Sequence, residues 1–436
     1  MPAMKLRRVL RWLLIVLGAL LLLAIVAAVA AYYTMLPLAP GRPDGAPASP
    51  PVLGAFGGDG PVRTAEEWRN RRAPVLREAF QVHVYGRAPA SQEARLVARK
   101  PVPVPELSAV ARFEQLTVEV GLPPAAARVN VVLMVPTAPG RHPLIVMQNF
   151  CGNRAAVPGR PTAVQPIAPP PEACLNPAVS VLTRTIFGRH AAEPPWALLA
   201  ARGYAAATFY AGDIAPDAPG GAGAADALAR LQPGVAAADR GGALAVWAWG
   251  YSRVLNILER QAGVDPARTA VWGHSRNGKA ALLAAALDPD IDLVIAHQSG
   301  RGGAALTRSA RGESVAEITG GYPHWFGARF AAYAGREASL PVDQHQLIAL
   351  IAPRPVLLGA ARRDAWSDPA GAFRALQGAE PAYALLGSPG LEQAGMFAEE
   401  MDGDLAGFMR PGRHGVTEED WRRFLQFMDA HFRPAD

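Results

Sequence analysis

Thr269-Ala-Val-Trp-Gly273-His274-Ser275-Arg276-Asn277-Gly278-Lys279 reads as a strand, a sharp turn and the start of a helix. A serine hydroxyl is a poor nucleophile until it is held exposed beside a base, at a helix start where free N–H groups favour negative charge. A strand–serine–helix elbow provides that setting, and it demands small neighbours because the chain bends back on itself. Gly273 lies two residues before Ser275, as the elbow requires; two residues after it stands Asn277, with Gly278 one place later. The elbow pattern is therefore met on one side only. A helix N-cap is the competing reading of Ser275.

Around the elbow, strand-like and helix-like runs alternate. Strands are expected at 204–210, 269–272, 293–297, 355–359 and 382–386, and helices at 196–202, 240–261, 279–287, 344–351, 369–376 and 418–431. Nearly continuous apolar strands between helices imply a mostly parallel sheet covered on both faces, the α/β class. Shorter β-branched runs at 94–98, 115–120, 128–135 and 143–148 add strands in front of it, and Thr64 with Glu67 spells a capping box opening a helix. This order fits an α/β-hydrolase. In that fold the acid and then the histidine follow the nucleophile in sequence. Among the later histidines, His345 opens a helix, His431 sits near a helix end and His324 lies in an aromatic run. His414, in a glycine-flanked loop before the final helix, is the candidate base. Asp364 follows the 355–359 strand and can orient an imidazole; its neighbour Asp368, followed by proline, reads as a helix cap. The oxyanion donors expected are the amide of Arg276 and the loop Asn149-Phe-Cys-Gly-Asn153, with the Arg276 guanidinium as added positive charge.

Lysine is rare here: Lys5, Lys100 and Lys279 stand among 43 basic residues. Lys279, one helical turn past Ser275, is expected on the same side of the helix, within reach of a substrate. The net charge of +6 is dispersed over arginines and forms no stripe, so nucleic-acid binding is not expected. Two cysteines exclude a zinc-finger array or a disulfide-stapled miniature, and neither an HExxH motif nor a Cys/His cluster calls for a metal or other cofactor. With 43 glycines and 41 prolines, an all-helical bundle is also excluded.

Trp12 to Ala31 is a run of uncharged apolar residues preceded by Lys5, Arg7, Arg8 and Arg11. Its length suits a membrane-spanning helix with a cytoplasmic N-terminus, making residues 1–36 an inner-membrane anchor. A signal peptide cleaved near Ala28-Val29-Ala30 is the alternative; either way the bulk of the chain faces the periplasm or beyond. Residues 37–62 read as an exposed Pro/Gly/Ala-rich tether, and 63–436 as one catalytic domain with an insertion at 154–195 above the sheet edge. In an oxidising compartment Cys151 and Cys174 either pair or remain two thiols; the sequence leaves both open.

Together these residues resemble the glucuronoyl esterases, a carbohydrate esterase family of α/β-hydrolases. The resemblance spans the chain from about Thr64 onward. It rests on Val84-Tyr-Gly, Gly212-Asp-Ile-Ala-Pro-Asp217, the Ser275-Arg-Asn-Gly-Lys279 block, Ser299-Gly-Arg-Gly-Gly303, Pro323-His-Trp-Phe326, Leu340-Pro-Val-Asp-Gln-His345 and Ile351-Ala-Pro-Arg354. It implies hydrolysis of 4-O-methyl-glucuronoyl esters, with Ser275 as nucleophile, His414 as base and Arg276 supporting the oxyanion. It further implies that Lys279, Glu313 and Trp366 bind the sugar. Many members carry a catalytic Glu directly before the Ser-Gly-x-Gly-Gly run; here that position is Gln298, which leaves the acid's role to Asp364. A general carboxylesterase or acetyl esterase on the same scaffold, or a non-catalytic anchored carbohydrate binder, are the alternatives.

Overall fold

The computed structural model describes residues 2–33, 48–176, 181, 184–396 and 401–432. Nine strands form one sheet: β1 (Ala94–Pro101), β2 (Ala111–Val120), β3 (Ala127–Pro136), β4 (His142–Asn149), β5 (Ala205–Tyr210), β6 (Val264–His274), β7 (Leu293–His297), β8 (Val356–Ala361) and β9 (Leu405–Arg410). Their order is β1-β2-β3-β5-β4-β6-β7-β8-β9. The pairs among β1, β2, β3 and β5 are antiparallel; every pair from β5 through β4 to β9 is parallel.

The strands obey the period of two, and because both faces are covered, both alternating sets are apolar. Leu144, Val146, Val271, Val294 and Ala296 pack on one face, beneath the helices Ala243–Leu258, Arg276–Leu287, Gln344–Ala349 and Pro369–Leu385. Ile145, Met147, Ala270, Trp272, Leu293 and Ile295 pack on the other, against the helices Trp196–Ala201 and Glu418–Phe432. The sheet is thus the α/β-hydrolase sheet expected, with helices on both sides.

Two expectations are corrected. Ala382–Leu386 is not a strand: the helix Pro369–Leu385 runs through it, past Pro381, burying Ala375, Leu376, Ala379, Ala382 and Tyr383 along one stripe. A short apolar run has no periodicity that separates strand from buried helix. The strand at that edge is β9, whose glycine and terminal arginine hide it. The second correction concerns the tether. Its stretch 37–47 lies outside the described residues, but from residue 48 it is docked. Val52 and Val62 are in the core, Arg72 donates to the Val52 carbonyl at 3.2 Å, and His345 bonds the Pro50 carbonyl at 2.7 Å. Two apolar side chains spaced ten apart in a proline-rich run are enough to anchor it.

The helix Pro2–Tyr33 stands apart from this body, with an 18-residue window, Arg11–Ala28, of mean hydropathy 2.5 and none of it buried. The disulfide left open by the sequence is formed, joining Cys151 to Cys174 across a Cα–Cα distance of 5.5 Å.

Candidate active site

Strand β6 ends at His274 and the helix Arg276–Leu287 begins directly after Ser275, which takes φ 56° and ψ −125°. A non-glycine residue at positive φ is held there by its surroundings, and such strain gathers at functional sites. The Ser275 N–H donates to the His297 carbonyl at 2.9 Å, fixing the bend to β7. A Cβ on Gly273 would collide with the Asn277 carbonyl, which is why glycine is required before the serine. The unusual spacing after it has an explanation. Gly278, rather than residue 277, makes the close approach, to the Gly273 carbonyl and the Ser299 side chain. Asn277 instead donates its amide to the Gln148 carbonyl at 3.2 Å, tying the helix to β4.

His414 lies four residues after β9. Its Nδ1 meets Asp364 Oδ2 at 2.7 Å and Ser367 Oγ at 3.3 Å. Asp364 follows β8, is 3% exposed, and also caps the turn Ala365–Ser367. With Nδ1–H committed to the carboxylate, the Nε2 lone pair is the one left to act as base. Ser275, Arg276 and His414 line one cavity of about 320 Å³, and Asn149, Phe150 and Cys151 line it too. Among the described residues no hydrogen bond links Ser275 Oγ to His414. Such bonds are often long without substrate and tighten in its complex. Asp368, the rival acid, is a helix cap, accepting from the Gly371 N–H at 2.9 Å.

Arg276 sits at the first position of its helix, where the N–H has no partner within the helix and stays available to an anion. Its guanidinium pairs with Asp217 and lies over three rings: Trp325 at 5.0 Å, Tyr322 at 5.6 Å and Phe150 at 5.7 Å. Asp217 in turn accepts from His324 Nε2 at 3.0 Å and Trp325 Nε1 at 2.8 Å. Burial pushes this carboxyl up, but the His324 bond and the Arg276 charge outweigh it and hold it at about 2. Asp217 therefore stays ionised at any working pH, and Arg276 is a clamped, neutralised cation.

Lys279, Glu313 and Trp366 form a neighbouring group and do not line that cavity. Lys279 is 5% exposed, and its ammonium donates to the carbonyls of Ser299 at 2.6 Å and Arg301 at 2.7 Å, 6.0 Å from the Trp325 ring centre. Burial pulls it below the usual lysine range, with the Glu313 carboxylate opposing that shift, while burial raises Glu313. Trp366 is 56% exposed, and its carbonyl accepts from the Glu313 N–H at 3.0 Å. The three residues expected to bind the sugar thus lie near one another but outside that cavity, and the lysine already holds two carbonyls.

The insertion forms the roof. Pro171, Cys174, Arg184, Phe187, Gly188 and Ala191 face the cavity. The roof is fastened by the Cys151–Cys174 disulfide and by the Val416 N–H donating to the Phe187 carbonyl at 2.7 Å. Three residues lie within motifs quoted from the sequence, or beside one, but have no part in the site assigned to them there: Asp217, His274 and Gln298. Asp217 could have been found as a carboxylate just past β5, at the same sheet edge as Ser275. Gln298 is marked in the sequence only as a departure from the family pattern, and what it and His274 do depends on contacts across the sheet.

A family model described as "Glucuronyl esterase, fungi" matches residues 191–387. The chain is 34% identical over 387 residues to a carbohydrate esterase, MZ0003, of an unknown prokaryotic organism, covering 85% of this chain and 86% of that protein. It is 30% identical to the solved glucuronoyl esterase from Solibacter usitatus, covering 89% of this chain and 100% of that one, with a TM-score of 0.73. The chain belongs to the glucuronoyl esterase family. With the 4-O-methyl-glucuronoyl methylesterase of Schizophyllum commune it shares 37% identity over 185 residues, 38% of this chain and 47% of that enzyme. As a member of this family, the protein is an esterase.

Proposed function

We propose that this esterase cleaves glucuronoyl esters, of the 4-O-methyl-glucuronate type, through an acyl-enzyme on Ser275. The observation that carries the reading is the 2.7 Å contact between His414 Nδ1 and Asp364 at the wall of the cavity that Ser275 also lines. His414 Nε2 takes the Ser275 proton as Oγ attacks the ester carbonyl. The resulting oxyanion meets the Arg276 N–H at the helix start and the loop 149–153 opposite. Collapse expels the alcohol, which leaves with the proton held by His414, and water then repeats the sequence to release the uronic acid. Asp364 holds the imidazole's orientation and stabilises its cation. Trp366 offers an exposed flat face for a pyranose, and Glu313 with Lys279 offers a carboxylate and an ammonium at its edge. The helix Pro2–Tyr33 anchors the protein in the inner membrane with this domain on the periplasmic side; its length and hydropathy support that placement.

The test is hydrolysis of benzyl glucuronate beside an aryl acetate by the full chain in detergent. We expect the glucuronate to be turned over and Ser275→Ala to lower its kcat by about 10⁴-fold or more. Turnover of the acetate alone would replace the substrate reading with that of a general esterase; undiminished Ser275→Ala turnover would remove the acyl-enzyme.

A further inference from the structure

Gln298 follows β7 directly, is 3% exposed, and holds φ 50°, one of four non-glycine residues at positive φ among the described residues. Its backbone is pinned on both sides: the N–H donates to the Gly359 carbonyl at 2.8 Å, and the carbonyl accepts from Ser367 Oγ at 3.2 Å. That same Ser367 hydroxyl lies 3.3 Å from His414 Nδ1. The side chain reaches the other way. Oε1 accepts from the Gly415 N–H at 2.7 Å and meets His274 Nε2 at 3.0 Å, while Nε2 donates to the Arg413 carbonyl at 3.3 Å. Residues 413 and 415 flank the catalytic imidazole, and the His274 ring lies 4.6 Å from it, centre to centre.

We infer that Gln298 is the positioning residue of the catalytic histidine, gripping the backbone on both sides of His414 and holding the His274 ring on which it rests. The inference rests on the serine-hydrolase reading above. An amide suits this place where a carboxylate would not. The grip needs a donor for the Arg413 carbonyl as well as an acceptor for two N–H groups, and only the amide supplies both. It also adds no charge beside His274, whose imidazole burial and the neighbouring His414 and His297 push well below its usual range even though the Gln298 bond acts against that shift. Residue 298 is thus an uncharged clamp, and Asp364 is the one carboxylate bonded to His414 among the described residues.

The charges around His414 come from every side. Asp364 lies on the loop after β8, and His274 and His297 end β6 and β7. Arg410, at the end of β9, donates to the Arg413 and Gly415 carbonyls and is itself paired with Asp420 of the last helix at 2.7 Å. Across the cavity stand Arg276, neutralised by Asp217, and Arg184, paired with Glu193 at 3.1 Å. All of these are retained when Gln298 alone is changed.

The experiment compares Gln298→Met and Gln298→Glu with the parent and Ser275→Ala, as full chains in detergent, on benzyl glucuronate from pH 4 to 9. Methionine keeps the volume and loses the grip: kcat should fall about tenfold, with KM within about twofold. Glutamate keeps the acceptor and adds a charge beside His274 and His414, so the acid limb of kcat/KM should move up by about half to one pH unit. A purely structural role would lower the melting temperature and leave that limb where it is. Parent-like kcat for Gln298→Met together with an unmoved acid limb for Gln298→Glu overturns the inference. Because Ser275→Ala is run beside them, a dead Ser275 variant with parent-like Gln298 variants sinks the clamp alone. An active Ser275 variant sinks the serine reading itself.

Discussion

The cavity has a floor and a roof, and the two are built on different principles. The floor consists of strand ends and the turns just past them: Asn149 from β4, Ser275 from β6, His414 after β9. Each is held by backbone bonds and buried side chains on several neighbouring strands. The roof is the insertion 154–195, which carries no strand among its described residues and is tied down at points. Those points include the disulfide to Cys151, the backbone bond from Val416 to Phe187, the Asn130 amide on the Gln165 carbonyl at 2.8 Å, and the Gln165 and Ala168 N–H groups on Gln115 at 2.8 Å and Asp213 at 3.0 Å; Glu193 adds bridges to Arg184 and Arg189 within the segment. Ile167, Leu175, Val181 and Ile186 are left exposed on it. Reaction geometry, which tolerates errors well below an ångström, is entrusted to the sheet. The shape of the cavity above it is set by a segment that meets the sheet through scattered side-chain bonds rather than a strand ladder.

If that division holds, damage to the floor should appear in kcat and damage to the roof in KM. The strongest blow short of removing the nucleophile is Asp364→Asn. The amide can turn its NH2 toward Nδ1, which favours the imidazole tautomer with its proton on Nε2, the wrong nitrogen for a base. We expect kcat to fall by about 10³–10⁴-fold with little change in KM, measured by steady-state hydrolysis of benzyl glucuronate near neutral pH. A loss of less than about tenfold would show that some other group orients His414.

The contrast between floor and roof also explains how much of the molecule was legible beforehand. The floor is local in sequence: Gly273 and Ser275 sit at a strand-to-helix switch and Asp364 follows a strand, so periodicity marks them as candidates, while His414 is marked by its glycine-flanked loop before the last helix and not by the strand in front of it. What resisted was whatever depends on contacts between distant segments. Lys279 was placed correctly on its helix, but that its ammonium is taken up by the Ser299 and Arg301 carbonyls follows from where the 299–303 loop folds back. The 382–386 segment and β9 were exchanged because an alanine-rich helix and a glycine-containing strand each lack their usual signature. The Cys151–Cys174 pairing could be stated only as a choice, since two cysteines 23 residues apart with no clear periodicity in the sequence between them define no geometry.

A middle case is Asp217, which belongs to the floor by position but supports Arg276 from behind. Asp217→Asn removes the charge that pairs with the guanidinium and keeps an acceptor for His324 and Trp325. Uncoupling a half-buried pair of this kind should cost about 1–3 kcal/mol of stability, read as a lower melting temperature. Because Arg276's amide stays at the helix start, kcat/KM should fall only about tenfold, less than the loss from deleting an oxyanion donor outright. Since the carboxyl sits at about 2, the parent's activity should show no inflection from Asp217 between pH 4 and 9.

The smallest effect on turnover is expected from the roof. Replacing both Cys151 and Cys174 by serine frees one edge of the insertion while Phe187–Val416 and the Glu193 bridges remain. A loop of this length contributes about 3 kcal/mol, so the melting temperature should drop clearly. Turnover is another matter. Cys151 is also part of the loop after β4, but that loop is held without the disulfide: Asn149 donates to Asn153 at 2.7 Å and to Thr208 at 3.0 Å, and Asn153 donates to the Asn130 carbonyl. The oxyanion side of the floor should therefore survive, leaving kcat within about threefold of the parent and KM raised by about three- to tenfold as the cavity loosens. If the double serine variant instead loses kcat on the scale of Asp364→Asn at unchanged KM, the roof and the floor are one mechanical unit, joined through residue 151, and the division drawn between them fails.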